Sequence, residues 1–231
     1  MGQPVFTFWE GKMPEYIKLC MATWKFPYTI LSYENLHNYI DIPLDKLMRF
    51  TLPQIADYIR VHILRDYGGY WLDTDTIMLD SELPDDVIFG NNETRDNTIG
   101  FLQTTPHSDM FVRWAEYQDV VINQPSPSYH WDVMGNAFTD NYLKEHTEVF
   151  ISDITEHWAE TYMITSDTSR RNKYRYQKFY FESNFTLNNI RKTNMLMLHN
   201  SWTPDWYKKL SKTEVLSKNC TLTNILRGLG I

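Results

Sequence analysis

Cysteine is nearly absent from this chain. Cys20 and Cys220 stand far apart, with neither a CxxC pair nor zinc-ligand spacing. That excludes a disulfide framework or a cysteine-built metal site, and fits two reduced, buried thiols in a cytosolic protein. Basic side chains are also in deficit, with 22 Lys+Arg against 29 Asp+Glu and a formal net charge of −7. A general nucleic-acid binder, which depends on a basic footprint, is therefore excluded. Any anionic ligand would need a cation or a few local basic groups to offset the repulsion. No apolar run approaches the roughly 18 residues of a membrane span. Met1-Gly2-Gln3-Pro4 leads straight into Val5-Phe6-Thr7-Phe8-Trp9, without the layout of a secretory signal. A cytoplasmic location is expected, and the glycosylation-type matches at Asn92, Asn184 and Asn219 are read as chance. Internal repeats, low-complexity tracts and linker-like stretches are missing too, so residues 1–231 are expected to form a single domain.

What remains is a 231-residue chain, 42% hydrophobic and 15% aromatic, with ample material for a core. Strand-like and helix-like segments alternate, the pattern of an α/β layer with a mostly parallel sheet. Val5–Trp9 reads as a strand, Pro14–Trp24 as a helix and Tyr28–Ser32 as a second strand. Thr51-Leu52-Pro53 resembles a helix start. That helix runs to about Tyr67, carries Ile55, Ile59 and Ile63 as an apolar stripe, and is stopped by Gly68-Gly69. Tyr70-Trp71-Leu72 is a short strand, followed by Asp73-Thr74-Asp75-Thr76 and the apolar run Ile77–Leu79. Further on, Ile99–Gln103 reads as a strand, Met110–Ile122 and Val133–Leu143 as helices, and Met195–Leu198 as a late strand. Thr213–Leu226 reads as a final helix. The basic, aromatic stretch Arg170–Tyr176 reads as a loop able to fold over a ligand, or as a solvated charged segment.

The chemistry concentrates around the third strand. Two carboxylates one residue apart, where a strand runs out, can bind one divalent cation or split between metal and ligand hydroxyls. Oxygen ligands suit Mg²⁺ or Mn²⁺, and ligands bind at the carboxyl ends of strands in open α/β sheets. Asp57 and Arg60, three apart on the preceding helix, share a face. Both are expected to point into the site, Asp57 toward hydroxyls and Arg60 toward a phosphate or sugar oxygen.

Gln54, Ala56, Asp57, Arg60, Leu64, Tyr67, Gly68, Gly69, Trp71, Leu72, Asp73 and Asp75 together form QxADxxRxxxLxxYGGxWLDxD. This resembles the signature of the DXD sugar-binding-region glycosyltransferases. That family includes fungal outer-chain mannosyltransferases and bacterial capsule and lipopolysaccharide enzymes, and is distantly similar to clostridial glucosylating toxins. Phe8-Trp9-Glu10-Gly11 with Met13-Pro14 resembles the family's opening W-x-G-x-x-P, and His199-Asn200-Ser201-Trp202 its late H-x-S-W. The resemblance spans about residues 5 to 206 and is weakest over 104–194, where acceptor recognition varies.

The resemblance implies a GT-A, Rossmann-like fold and a metal-dependent retaining transferase. It would move a hexose-type sugar from a nucleoside-diphosphate donor, a UDP-sugar by default, to a glycan hydroxyl. Phe8 and Trp9 would border the nucleobase, and Asp57 and Arg60 would hold the donor sugar. Asp73 would contact ribose or sugar hydroxyls or the metal, and Asp75 would bind the metal directly. His199 would complete the metal shell and tilt it toward Mn²⁺ over Mg²⁺, with Ser201 and Trp202 at metal or phosphate. Asn136 stands where many relatives carry a proline near the reacting sugar carbon, a departure from their pattern. The partners implied are a nucleotide sugar and a glycan or glycolipid acceptor. A lipid-linked acceptor would bring peripheral contact with the inner face of a membrane.

Two other readings fit some of the same residues. Asp73-Thr74-Asp75-Thr76 also matches the DxDxT nucleophile motif of haloacid-dehalogenase-type phosphohydrolases, with Asp73 attacking phosphorus. Those enzymes carry the motif on their first strand and need a distant acidic pair, and Asp85-Asp86 follow too closely. A non-catalytic nucleotide- or glycan-binding module would keep metal-dependent binding without transfer.

Overall fold

The computed structural model describes residues 2–85, 87–90, 97–149, 152–153, 173–190 and 194–231. Asp86, the Asn92 acceptor match and the start of the basic stretch, residues 170–172, lie outside the described residues. The chain forms two compact units, each assembled from three segments. The first takes Met1–Glu10, Pro27–Asp73 and Asp85–Asp153, and the second Gly11–Phe26, Thr74–Pro84 and Ile154–Ile231.

The first unit is a six-stranded mixed sheet with helices against it. Its strands are β1 (Val5–Phe8), β2 (Thr29–Leu31), β3 (Gly69–Leu72), β5 (Ile88–Gly90), β6 (Asn97–Thr104) and β7 (Ser152–Asp153), in the order β2-β1-β3-β6-β5-β7. The pairs β1–β2, β1–β3 and β5–β7 are parallel, whereas β3–β6 and β5–β6 are antiparallel. The α/β expectation with a mostly parallel sheet is met, although β6 runs against its neighbours.

Helix α3 (Leu52–Tyr67) is the central helix of this unit. The oxygen of Gln54 accepts both the Thr51 backbone N–H (3.0 Å) and the Thr51 hydroxyl (2.7 Å), closing the first turn, with Pro53 inside it. The sequence predicts one isoleucine stripe, yet Tyr58, Arg60, Val61, His62 and Leu64 are buried as well. A helix covered on several sides needs apolar residues beyond a single stripe. The helix ends at Gly68 (φ 61) and Gly69 (φ 87), where a Cβ on Gly69 would lie 2.2 Å from the Pro4 carbonyl oxygen. Only glycine tolerates both the positive φ and that approach. Helices α4 (Asp109–Asn123) and α5 (Asn136–Glu145) complete this unit's core, which includes Ile59, Trp71, Leu102, Phe111, Trp114 and Leu143. Residues 133–135, read from sequence as the start of a helix, belong to a turn instead, because Gly135 caps α5 at φ −122, ψ −106.

The second unit holds α1 (Glu15–Met21) and the antiparallel pair β4 (Thr76–Met78) and β8 (Met195–Met197). Trp24 Nε1 donates to the Thr76 carbonyl (2.8 Å), and the Met78 N–H donates to Thr23 Oγ1 (2.8 Å). Helix α6 (Lys173–Gln177) runs into a π-helical turn, Lys178–Glu182. The described part of the basic stretch is thus helical, anchored by buried Tyr176, rather than a loop. Three helices follow: α7 (Asp205–Lys208), α8 (Lys212–Ser217) and α9 (Thr221–Gly228). The expected single helix over Thr213–Leu226 is broken at Lys218 and Cys220, both extended. The break lets the Thr223 hydroxyl donate to the Val215 carbonyl (2.7 Å) and buries Cys220 as the cap of α9. Both cysteines are free and buried in this unit.

Candidate active site

In the first unit the site grows from the crevice between β1 and β3. Strand β2 lies on one side of β1 and β3 on the other, so chain connections diverge there, the usual ligand position in an open α/β sheet. Trp9 follows the last residue of β1 and Asp73 the last residue of β3, at the carboxyl ends of two parallel neighbours. Phe8 is buried with its ring edge-on to Tyr33 at 5.6 Å. Trp9 is half-buried, and its indole Nε1 is a buried donor with no partner among the described residues.

Arg60 organises the carboxylates. Its side chain is 6% exposed, and Nη2 lies 3.0 Å from Asp57 Oδ1 and 3.1 Å from Asp73 Oδ1. Nη1 donates to the Ile99 carbonyl on β6, and the guanidinium lies over the Trp71 ring, 5.1 Å from its centroid. Trp71 also donates its Nε1–H to Asp73 Oδ1 at 2.9 Å. One cation thus compensates two carboxylates inside the fold, where an unpaired charge would be costly. The expectation that Asp57 and Arg60 turn inward is met. Arg60, however, spends its fork on the two aspartates and a carbonyl, leaving only Nε, itself buried, without a partner among the described residues.

Burial pushes the Asp57 carboxyl up to about 7, Arg60 pulls it down and Asp73 raises it further. Behind Asp57, Gly135 has no room for a side chain. A Cβ there would come within 2.4 Å of Ile99 Cδ1 and 3.3 Å of Asp57 Oδ2. Gln118 holds the backbone on both sides of this contact, donating to the carbonyls of Asp57 (3.0 Å) and Met134 (2.6 Å). Asn136, next in sequence, directs its amide to the Asn97 carbonyl and side-chain oxygen, both at 3.1 Å. In this structure Asn136 ties α5 to β6.

In the second unit Asp75 and the 199–202 turn come together. Antiparallel pairing of Thr76 with Met197 sets Asp75 opposite Leu198, whose N–H donates to the Asp75 carbonyl at 3.1 Å. The Asn200 N–H then donates to Asp75 Oδ2 at 2.8 Å, and the Asn200 side chain accepts the Tyr16 hydroxyl. The His199 ring lies 4.3 Å from the Trp202 ring, while Ser201 is exposed. Among the described residues, no three His, Cys, Asp or Glu side chains are gathered to hold a metal. A carboxylate and imidazole set nevertheless suits a hard cation that keeps several positions for substrate phosphates and needs no protein cage.

Three contributors escaped the sequence reading as site residues. Trp71 could have been found, because it lies two residues before Asp73, where a strand's alternation carried one step past its end sets both side chains on the same face. Asn200 acts through its backbone N–H, and Gly135 through lack of volume; neither leaves a side-chain signal.

The family of capsular polysaccharide synthesis proteins matches residues 1–192. The chain belongs to that family. Among solved structures it is similar to the PaToxG glycosyltransferase, at 12% identity and a TM-score of 0.42, covering 99% of this chain and 87% of that one. It is also similar to the apo-form glycosyltransferase GlyE of Streptococcus pneumoniae TIGR4, at 9% identity and a TM-score of 0.43, covering 100% of this chain and 60% of that one. No curated protein matches the chain.

Proposed function

We propose that the chain is a retaining glycosyltransferase of capsular polysaccharide synthesis, with a GT-A type site. It moves a hexose-type sugar from a nucleoside-diphosphate donor, a UDP-sugar first among them, to a glycan hydroxyl. The observation that carries this reading is the Asp57–Arg60–Asp73 cluster, set with Trp9 at the carboxyl ends of β1 and β3. Family membership and the QxADxxRxxxLxxYGGxWLDxD pattern support it.

Phe8 and Trp9 border the base, and the unpartnered Trp9 indole N–H gives a bound nucleotide one buried donor to satisfy. Asp57 holds the donor sugar through its hydroxyls. With its proton poised near neutral pH it accepts a hydrogen bond when ionised and donates one when protonated. Arg60 is a positioning residue that holds Asp57 and Asp73 in place. Asp75 and His199 would hold Mn²⁺ or Mg²⁺, whose charge would offset that of the departing diphosphate. The acceptor hydroxyl attacks beside the leaving group, so an α-donor gives an α-linkage.

The test is Asp75→Ala, which should abolish metal-dependent turnover of a nucleotide sugar while circular dichroism stays native. Near-normal turnover overturns the reading. A panel of nucleotide sugars screened for Mn²⁺-dependent hydrolysis or thermal stabilisation identifies the donor.

A further inference from the structure

A cleft of about 710 Å³ opens in the second unit, between the approach to α1 and the stretch joining α7 to α8. Lys12, Lys208, Lys209 and Lys212 line it, together with Glu15 and Glu214. In a chain of net charge −7, four lysines in one cleft are an excess that needs a cause.

Neither glutamate supplies it. Glu15 accepts from Lys18 at 2.6 Å, outside the cleft lining. Glu214 closes the cap of α8, accepting the Ser211 N–H (2.8 Å) and hydroxyl (2.7 Å). Among the described residues, none of the four ammonium groups makes a hydrogen bond or ion pair. Four ammonium groups against two carboxylates leave the lining with a formal excess of two positive charges, an excess that an entering anion would offset.

The cleft is also distinct from the Asp75 corner. Tyr16 and Tyr207 are fully buried, with rings 5.8 Å apart, and Tyr16 turns its hydroxyl to Asn200. Their chain neighbours Glu15 and Lys208 face the cleft instead. An anion there meets ammonium groups rather than the carboxylate of Asp75. Compact, three-donor ammonium groups suit phosphate oxygens.

We propose that this lysine cleft binds a phosphate or diphosphate group of the acceptor. The acceptor role rests on the transferase reading above; the anion site itself does not. The phosphate comes from a lipid headgroup or from a phosphate-bearing soluble glycan.

Inorganic pyrophosphate titrated calorimetrically into metal-free protein tests the site directly. Wild type should bind, and Lys208→Ala/Lys209→Ala/Lys212→Ala should bind at least about tenfold more weakly, having lost several charge-assisted hydrogen bonds. These lysines are exposed or half-buried on the surface, so the variant should melt like wild type. Equal binding by variant and wild type, or no binding by wild type, overturns the proposal. Flotation with phosphatidylcholine vesicles, with and without phosphatidic acid, separates the two sources. Lysine-dependent capture by the acidic vesicles assigns a lipid headgroup, and pyrophosphate binding without capture assigns a soluble phosphate. In turnover assays the variant should raise the acceptor KM and leave donor hydrolysis unchanged. A chain that transfers no sugar but still binds pyrophosphate through these lysines defeats the transferase reading and leaves the anion site standing.

Discussion

Arg60 meets two carboxylates, a carbonyl and an indole face with one planar side chain. Truncating it leaves Asp57 and Asp73 close together without their shared cation. Arg60→Ala should therefore cost about 3–5 kcal/mol in urea unfolding, the usual penalty for breaking a buried pair. Arg60→Lys should fall between, since a point charge restores the sign but not the fork. A variant as stable as wild type would show that solvent already screens the cluster. The pairing of Asp57 with Arg60 was legible in sequence, because three residues along a helix return to the same face. That Arg60 would be consumed in holding the aspartates was not legible, since Ile99 and Trp71 reach it from distant positions in the chain.

The elements were read best where local chemistry decides them. Thr51, Pro53 and Gln54 mark the start of α3, and Gly68-Gly69 mark its stop through positive φ. Gly69→Ala should destabilise the protein by about 1–3 kcal/mol from backbone strain alone, with the clash against Pro4 added. Gly2→Ala, with nothing within 4 Å of its added Cβ, should leave the melting temperature unchanged. Equal melting temperatures for both would mean that the turn relaxes freely. Reading failed where tertiary contacts decide. The break between α8 and α9 depends on a Thr223–Val215 hydrogen bond, and the helix at Lys173–Gln177 on the burial of Tyr176. Neither follows from local propensity, because the deciding contacts come from the folded chain.

At the scale of the molecule, two buried groups of the first unit give stability opposite dependences on pH. Asp57 titrates near 7 when folded against an ordinary 3.8, so its contribution is complete below about 4 and is lost as pH rises through 7. His62 is stacked on Tyr58 at 3.9 Å, and burial lowers it to about 4 from 6.5. Its contribution is present above 6.5 and lost as pH falls through 4. Each slope is at most about 1.4 kcal/mol per pH unit, and between about pH 4 and 6.5 they oppose. Relative to wild type, Asp57→Asn should make stability rise more steeply with pH across that window, and His62→Gln less steeply. Urea melts of the three proteins check this, and shifts in the same direction would overturn it. The α/β class and the crevice at β1 and β3 were legible from the order of the elements. The reversal of β6 was not, because it arises from pairings between remote segments.

The pairing of β4 with β8 also sets a schedule for the nascent chain. Thr76–Met78 emerges from the ribosome long before Met195–Met197, an interval on the order of ten seconds at roughly 5–20 residues per second. Throughout that interval the apolar edge beside Trp24 and Met78 lacks its partner strand and is open to a chaperone. Slower translation of residues 79–194 would lengthen the exposure, so yield in cells should fall when slow codons are placed there.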